Sequence, residues 1–211
     1  MSEHYFSPHK DTDTNDLGKL RDVHVAYRGQ DLNLVAGDKV FSASEVDLGT
    51  EQLLHKAPPL PDAGTFLDLG CGWGPVALTM AAESPAATVW AVDVNERALA
   101  LTRINAQRAR LDNLRILEAA VALEDARQSG TRFDVIWSNP PIRIGKTSLQ
   151  SLLLEWLDLL AEQGVAYLVV NRHLGADSLA KWLGDQGFVV SRLASRKGFR
   201  ILEVSRGRDR T

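Results

Sequence analysis

Apolar and polar positions alternate along this chain with two different periods, and the switches between them outline its elements. "DVHVAYRGQDLNLVAGDKVF" alternates every second residue on both sides of Arg28-Gly29-Gln30-Asp31, the pattern of a β-hairpin or short meander. A helix follows within "SEVDLGTEQLLHKA" and is ended by Pro58-Pro59. From Thr65 on, short apolar runs alternate with helical patterns. "TFLDLG", "TVWAVDV", "LRILEA", "RFDVIWSN", "GVAYLVVN", "GFVVSRLA" and "RILEVS" read as strands. "PVALTMAAES", "NERALALTRINAQRARL", "KTSLQSLLLEWLDLLAEQ" and "ADSLAKWLGDQ" carry helical periodicity. Such alternation predicts βαβ units and an α/β fold around a seven-stranded, mostly parallel sheet, with helices on both faces. Only "SRKGF" separates the last two strands, too little for a crossover helix, so the last strand is expected to run antiparallel. Residues 1–60 read as an N-terminal extension, hairpin plus helix, packed on a second unit over 61–211.

Composition narrows the class. The chain has 211 residues, 45% of them apolar, enough for one globular core. No apolar run approaches the roughly 18 residues of a membrane span, so no membrane partner is expected. "MSEHYFSPHKDTDTNDL" lacks the basic-then-apolar layout of a signal peptide. Cys71 is the only cysteine, so no intrachain disulfide can form, and a reducing, cytoplasmic setting is expected. The five histidines are scattered without ligand spacing, and no metal site is expected. The net charge of −3 is unevenly spread. Residues 1–62 carry eleven acids against six Lys or Arg, whereas 192–211 carry seven basic side chains against Glu203 and Asp209. A local basic face can hold a polyanion; a solvated tail accounts for it equally well.

"FLDLGCGWGP" sets Gly70, Gly72 and Gly74 between the first sheet strand and the next helix, where a tight turn lets the backbone approach a ligand. A dinucleotide fingerprint would place its third glycine at position 75, which is Pro75, a favourable early helical residue. Asp68, two residues before Gly70, would repel a pyrophosphate and attract a cation. S-adenosylmethionine (SAM) carries an ammonium and a sulfonium and no phosphate. Asp93 ends the next strand, where a carboxylate can accept hydrogen bonds from both ribose hydroxyls. Together these features favour SAM over NAD.

"RFDVIWSNPP" is expected as the fourth strand, beside the first, where the connection order reverses and ligands bind. One proline would end it. Two remove two N–H donors and stiffen the corner, leaving the Asn139 side-chain oxygen and the Pro140 carbonyl as a rigid pair of acceptors. An exocyclic amine or amide nitrogen has a delocalised lone pair. Acceptors gripping its hydrogens can localise that pair and aim it at a sulfonium methyl, through positioning rather than a strong base. Asn139, Pro140 and Pro141 are therefore the candidate catalytic residues. An ordinary strand-ending turn is the bland alternative.

With "HYFSP", "VFSASEVDLGTEQLL", "LDLGCGWGP", "VDVN" and "SNPPIRIGK", the chain resembles the class I SAM-dependent methyltransferases of the "methyltransferase small" family. That family includes guanine-N2 methyltransferases of small-subunit ribosomal RNA. The likeness covers nearly the whole chain. It implies a Rossmann-like fold, SAM as cofactor with S-adenosylhomocysteine as product, and ribosomal RNA or the small subunit as substrate and partner. By the same likeness Phe41, Ser42, Asp47, Gly49 and Thr50 help close the cofactor pocket, beside Asp68, Gly70, Cys71, Gly72, Asp93, Val94, Asn95 and Asn139.

Two departures from the family pattern stand out. Many relatives have an aromatic after the second proline to stack the base; Ile142 stands at this substrate-binding position, so the base must stack elsewhere or be gripped less tightly, and Phe199 is a candidate platform. In "LEAAV", Ala119 and Ala120 replace the acid or amide often set against the adenine. Arg143 and Lys146 follow the motif and can contact RNA phosphates, though exposure alone explains them as well. Arg172 and His173 follow the fifth strand and can line the substrate side, with a plain surface role as the default alternative. Trp73, Trp137 and Cys71 read more simply as core. The expected activity is methylation of an exocyclic nitrogen, guanine N2 first. The alternatives are a protein glutamine N-methyltransferase, disfavoured by the strand pattern of residues 22–41, or a non-catalytic SAM- or RNA-binding assembly factor.

Overall fold

The computed structural model describes residues 19–38, 40, 42, 45–141 and 144–207. Strands β1 (Leu20–Tyr27) and β2 (Gln30–Gly37) form an antiparallel hairpin. Both turn residues have positive φ, Arg28 at 56° and Gly29 at 76°, which suits the right-handed twist of a tight hairpin. A non-glycine residue pays about 1–2 kcal/mol there. Arg28 offsets it with its side chain, which donates to Glu83 Oε1 at 2.8 Å, Ala57 O at 2.7 Å and Pro58 O at 2.8 Å. These bonds tie the hairpin to the ends of α1 (Leu48–Lys56) and α2 (Pro75–Glu83).

The remaining elements alternate: β3 (Thr65–Leu69), α2, β4 (Thr88–Asp93), α3 (Glu96–Ala109), β5 (Leu114–Glu118), α4 (Ala119–Ser129), β6 (Phe133–Ser138), α5 (Lys146–Leu157), β7 (Leu160–Asn171), α6 (Ala176–Asp185), β8 (Phe188–Arg196) and β9 (Phe199–Arg206). The seven-stranded sheet runs β5-β4-β3-β6-β7-β9-β8. Pairing is parallel from β5 through β7, and β9 is antiparallel to both β7 and β8. The expected architecture is thus observed. No helix among the described residues is long and apolar enough to cross a membrane.

The period of two along each strand sorts side chains into two layers. Leu67, Leu69, Trp90, Val92, Ile136, Leu168 and Val170 pack with α4, α5 and α6. Phe66, Val89, Ala91, Val135, Trp137 and Val169 pack with α1 and α2. The hairpin buries Val25, Leu34 and Ala36 against Trp73 of the glycine turn, Leu78 of α2, and Ala98 and Leu101 of α3. Asn105 of α3 completes the join: its amide exchanges bonds of 2.7 and 2.8 Å with the backbone of Val35 and donates to Trp73 O at 2.8 Å.

Two local expectations change. α5 ends at Leu157 instead of running through "DLLAEQ", because Leu160 already pairs with Phe133 before a register shift brings Val165 beside Val135. Gly164 sits in that shift, where a Cβ would lie 2.5 Å from Phe133 O. Helix α4, absent from the sequence reading, is started by the Glu118 carboxylate, which accepts from Ala120 N–H at 2.8 Å and Val121 N–H at 3.1 Å. A side-chain acceptor at this position satisfies first-turn donors that would otherwise go unpaired.

Candidate active site

The carboxyl ends of β3, β4, β6 and β7 open into a cavity of about 790 Å³. It lies where strand order reverses between β3 and β6, the usual ligand crevice of such sheets. Gly70 (φ 82°) and Gly72 (φ 57°) form one wall, and a Cβ on either would enter open space. Gly70 and Cys71 both donate their N–H to Val92 O, at 2.8 and 3.0 Å, locking the turn to the end of β4.

Asp93 stands at the next strand end. Its Oδ2 accepts from Gly72 N–H and its Oδ1 from Asn95 N–H, both at 2.9 Å. Burial pushes its pKa up, and the N–H groups of Asn95, Gly72 and Val94 act against that rise. A carboxylate offers about four lone-pair positions, so capacity remains to accept from a ribose hydroxyl. Val94 and Ala119 add apolar wall. Open space over two glycines, a buried acceptor and a flat apolar flank suit an adenosine.

Asn139, Pro140, Pro141, Asn171 and Phe199 also line the cavity. Asn139 Nδ2 donates to Asp47 Oδ1 at 3.1 Å, to Asp47 Oδ2 at 3.0 Å and to Thr50 Oγ1 at 3.1 Å. Phe199 and Asn171 are paired across β9 and β7, and cross-strand partners present side chains on one face. α1 packs against β7, β8 and β9, and Lys197 at the β8–β9 turn reaches Glu51 of α1 at 3.3 Å.

The family model of the methyltransferase small domain matches residues 31–203. The chain belongs to the methyltransferase small-domain family. It is a SAM-dependent methyltransferase by that membership, and the cavity fits the cofactor. It is 30% identical to the Bacillus subtilis protein YbxB over 206 residues, 98% of this chain and 100% of that one. It is 34% identical over 152 residues to ribosomal RNA small subunit methyltransferase C of Shewanella denitrificans, covering 69% of this chain but only 42% of that relative. Among solved structures, a Thermus thermophilus 16S rRNA N2 methyltransferase in complex with AdoMet and guanosine has a TM-score of 0.67 at 22% identity. That match covers 89% of this chain and 50% of the other, and it bears on the fold.

In this family member, Gly70, Gly72, Asp93, Val94, Asn95, Asn139, Pro140, Pro141 and Phe199 line the cavity. Other expected site residues stand elsewhere. Asp68 is 2% exposed and turned beneath α2, where Oδ2 accepts from Ala77 N–H at 2.9 Å. Its parity along β3 puts it on the same face as Phe66, and it is not among the residues that line the cavity. Burial foremost pushes its carboxyl up to about 8, with Asp93 adding to the rise. Cys71 is likewise buried among Leu53, Val76 and Met80, and burial raises its thiol well above the ordinary range. Thr50 stands behind Asn139, and the Ser42 carbonyl accepts from Trp73 Nε1 at 3.1 Å. Trp73 and Trp137 are buried core. Lys146 opens α5 and is exposed. Arg172 lies in a 3₁₀ turn, exposed beside His173. Phe41, Ile142 and Arg143 fall outside the described residues.

Sequence reasoning missed Asn171 and the apolar lining by Ile144, Leu152 and Leu174. The rule that singled out Asn139, a polar residue at a parallel strand's carboxyl end, also describes Asn171. Nothing in the sequence marks Leu152 of α5. No group of three or more His, Cys, Asp or Glu among the described residues is arranged to hold a metal ion.

Proposed function

We propose that this chain methylates an exocyclic amino nitrogen of a nucleobase, with guanine N2 of small-subunit ribosomal RNA as the favoured acceptor. The observation that carries the reading is the shared cavity: Asn139, Pro140 and Pro141 line it together with Gly70, Gly72 and Asp93. When bound, SAM supplies an electrophilic methyl on sulfur. The protein's part is to bind, orient and exclude water. Asp93 holds the ribose hydroxyls and Val94 and Ala119 flank the adenine. The Asn139 oxygen and the Pro140 carbonyl accept the two hydrogens of the acceptor amine, keeping its lone pair free to attack. Phe199 replaces the missing aromatic at 142 as the base platform, with Asn171 as its polar neighbour. The target base must leave its stack to reach this depth. Named relatives that act on small-subunit rRNA support the substrate class, although the chain spans only about two fifths of the length of such a relative.

The experiment is incubation with labelled SAM and small ribosomal subunits lacking modification, followed by nucleoside mass spectrometry. N2-methylguanosine is the expected product. Label on another nucleoside, or on a protein glutamine, overturns the guanine assignment.

A further inference from the structure

Asn139 offers one oxygen and one NH2 group, and the chemistry proposed above uses only the oxygen. A side-chain amide turned over would present N–H donors to the hydrogens of the incoming amine, and the site would repel its substrate. Something must decide which way this amide faces.

A carboxylate accepts and never donates, so only Nδ2 can face Asp47. Both Asp47 oxygens lie within 3.1 Å of Nδ2, and Thr50 Oγ1 adds a third acceptor. The reversed amide would set its oxygen against both carboxylate oxygens. Asp47 is itself held, because it caps α1: Oδ1 accepts from Gly49 N–H at 2.9 Å, and both oxygens from Thr50 N–H at 3.4 Å. The approach is close enough that a Cβ on Gly49 would stand 3.0 Å from Phe199 Cε1, 3.1 Å from Asp47 Oδ1 and 3.2 Å from Asn139 Nδ2.

We propose that Asp47 is a positioning residue that locks the Asn139 amide with its oxygen toward the acceptor nitrogen. Helix α1, outside the alternating βα units, thereby becomes part of the catalytic apparatus. Asp47 borders the cavity, but its oxygens are taken up by α1 and Asn139, so it acts through Asn139 rather than on a ligand. The inference rests on the reading that the Asn139 oxygen grips the acceptor.

The test is Asp47→Asn, which keeps the size and the helix cap but offers Asn139 a group that can turn either way. The expected result is a fall in kcat of about 10²-fold, with SAM affinity and melting temperature unchanged. In an Asn139→Ala background the same substitution should add nothing. The Asn139 side-chain NH2 signal in a ¹⁵N spectrum, assigned by its loss in Asn139→Ala, should shift in Asp47→Asn without any acceptor present. Asp47→Ser, which keeps a capping hydroxyl, serves if Asp47→Asn does not fold. Unchanged kcat, an unmoved NH2 signal, or a loss of activity matched by loss of SAM affinity each overturns the proposal. If the wild-type protein methylates no RNA, the functional reading fails by itself, and the NH2 signal still tests the tether.

Discussion

Gly72 donates its backbone N–H to Asp93 Oδ2 at 2.9 Å, so the glycine turn after β3 and the acid ending β4 form one unit. Asp93→Ala removes both the ribose acceptor and the brace of the turn. SAM binding should weaken by roughly 1–3 kcal/mol, the cost of stranding buried partners, as read by calorimetry. Because burial raises the Asp93 pKa, affinity should also fall on acidification at a higher pH than an ordinary aspartate would give. An unchanged titration curve would place the ribose elsewhere.

Asn139→Ala should leave SAM affinity nearly intact while kcat drops by about 10²–10³-fold, the scale of losing one preorganised polar group. Single-turnover kinetics with saturating cofactor separates the two. Wild-type turnover would remove Asn139 from the chemistry.

Phe199→Ala should raise KM for the RNA by an amount equivalent to roughly 1–3 kcal/mol, the worth of one base stacked on an aromatic. Phe199→Tyr should restore most of it. If Phe199→Leu binds RNA as tightly as wild type, the ring is no stacking platform.

Asp68 sets a pH dependence of stability. Its carboxyl rises from 3.8 to about 8 on folding, driven first by burial. Between those values the native state keeps a proton that the unfolded chain has released. The contribution of Asp68 to stability is therefore full below about pH 4 and is lost as the pH rises towards about 8. Asp68→Asn keeps the acceptor for Ala77 N–H and removes the titration. Its melting temperature should exceed the wild-type value at pH 8, and the two should converge near pH 4. Parallel profiles would show that Asp68 is not the group responsible.

Arg28 and Glu83 make an ion pair at side-chain exposures of 10% and 17%. Arg28→Met leaves the half-buried Glu83 carboxylate without its guanidinium partner, though still with Leu60 N–H, and should cost about 1.5–3 kcal/mol, measured by urea unfolding. A change below 1 kcal/mol would mean that water already screens the pair.

Strand and helix periodicity made the parallel sheet and its reversed last strand legible, because each βα unit repeats a simple local pattern. Gly70, Gly72, Asp93 and Asn139 were legible for a related reason: the carboxyl ends of parallel strands β3, β4 and β6 must converge. Asp68 is less legible: its charge suggests a ligand contact, whereas the parity it shares with Phe66 sets it beneath α2, where it accepts from Ala77 N–H. Helix α4 was missed because its start depends on Glu118 turning back to cap it, which competed with a reading of that residue as strand.

The order of residues alone determined which groups end each strand and that the central strands are apolar on both faces, since both follow from continuous apolar runs and the chemistry of proline and glycine. Only the tertiary structure decided that Asp47, 92 positions away in sequence, would meet the Asn139 amide, and that Phe199 on β9 would stand beside Gly49 of α1. No local period encodes such meetings. They arise because β9 inserts between β7 and β8 and brings its turn down onto α1, a consequence of packing the whole sheet.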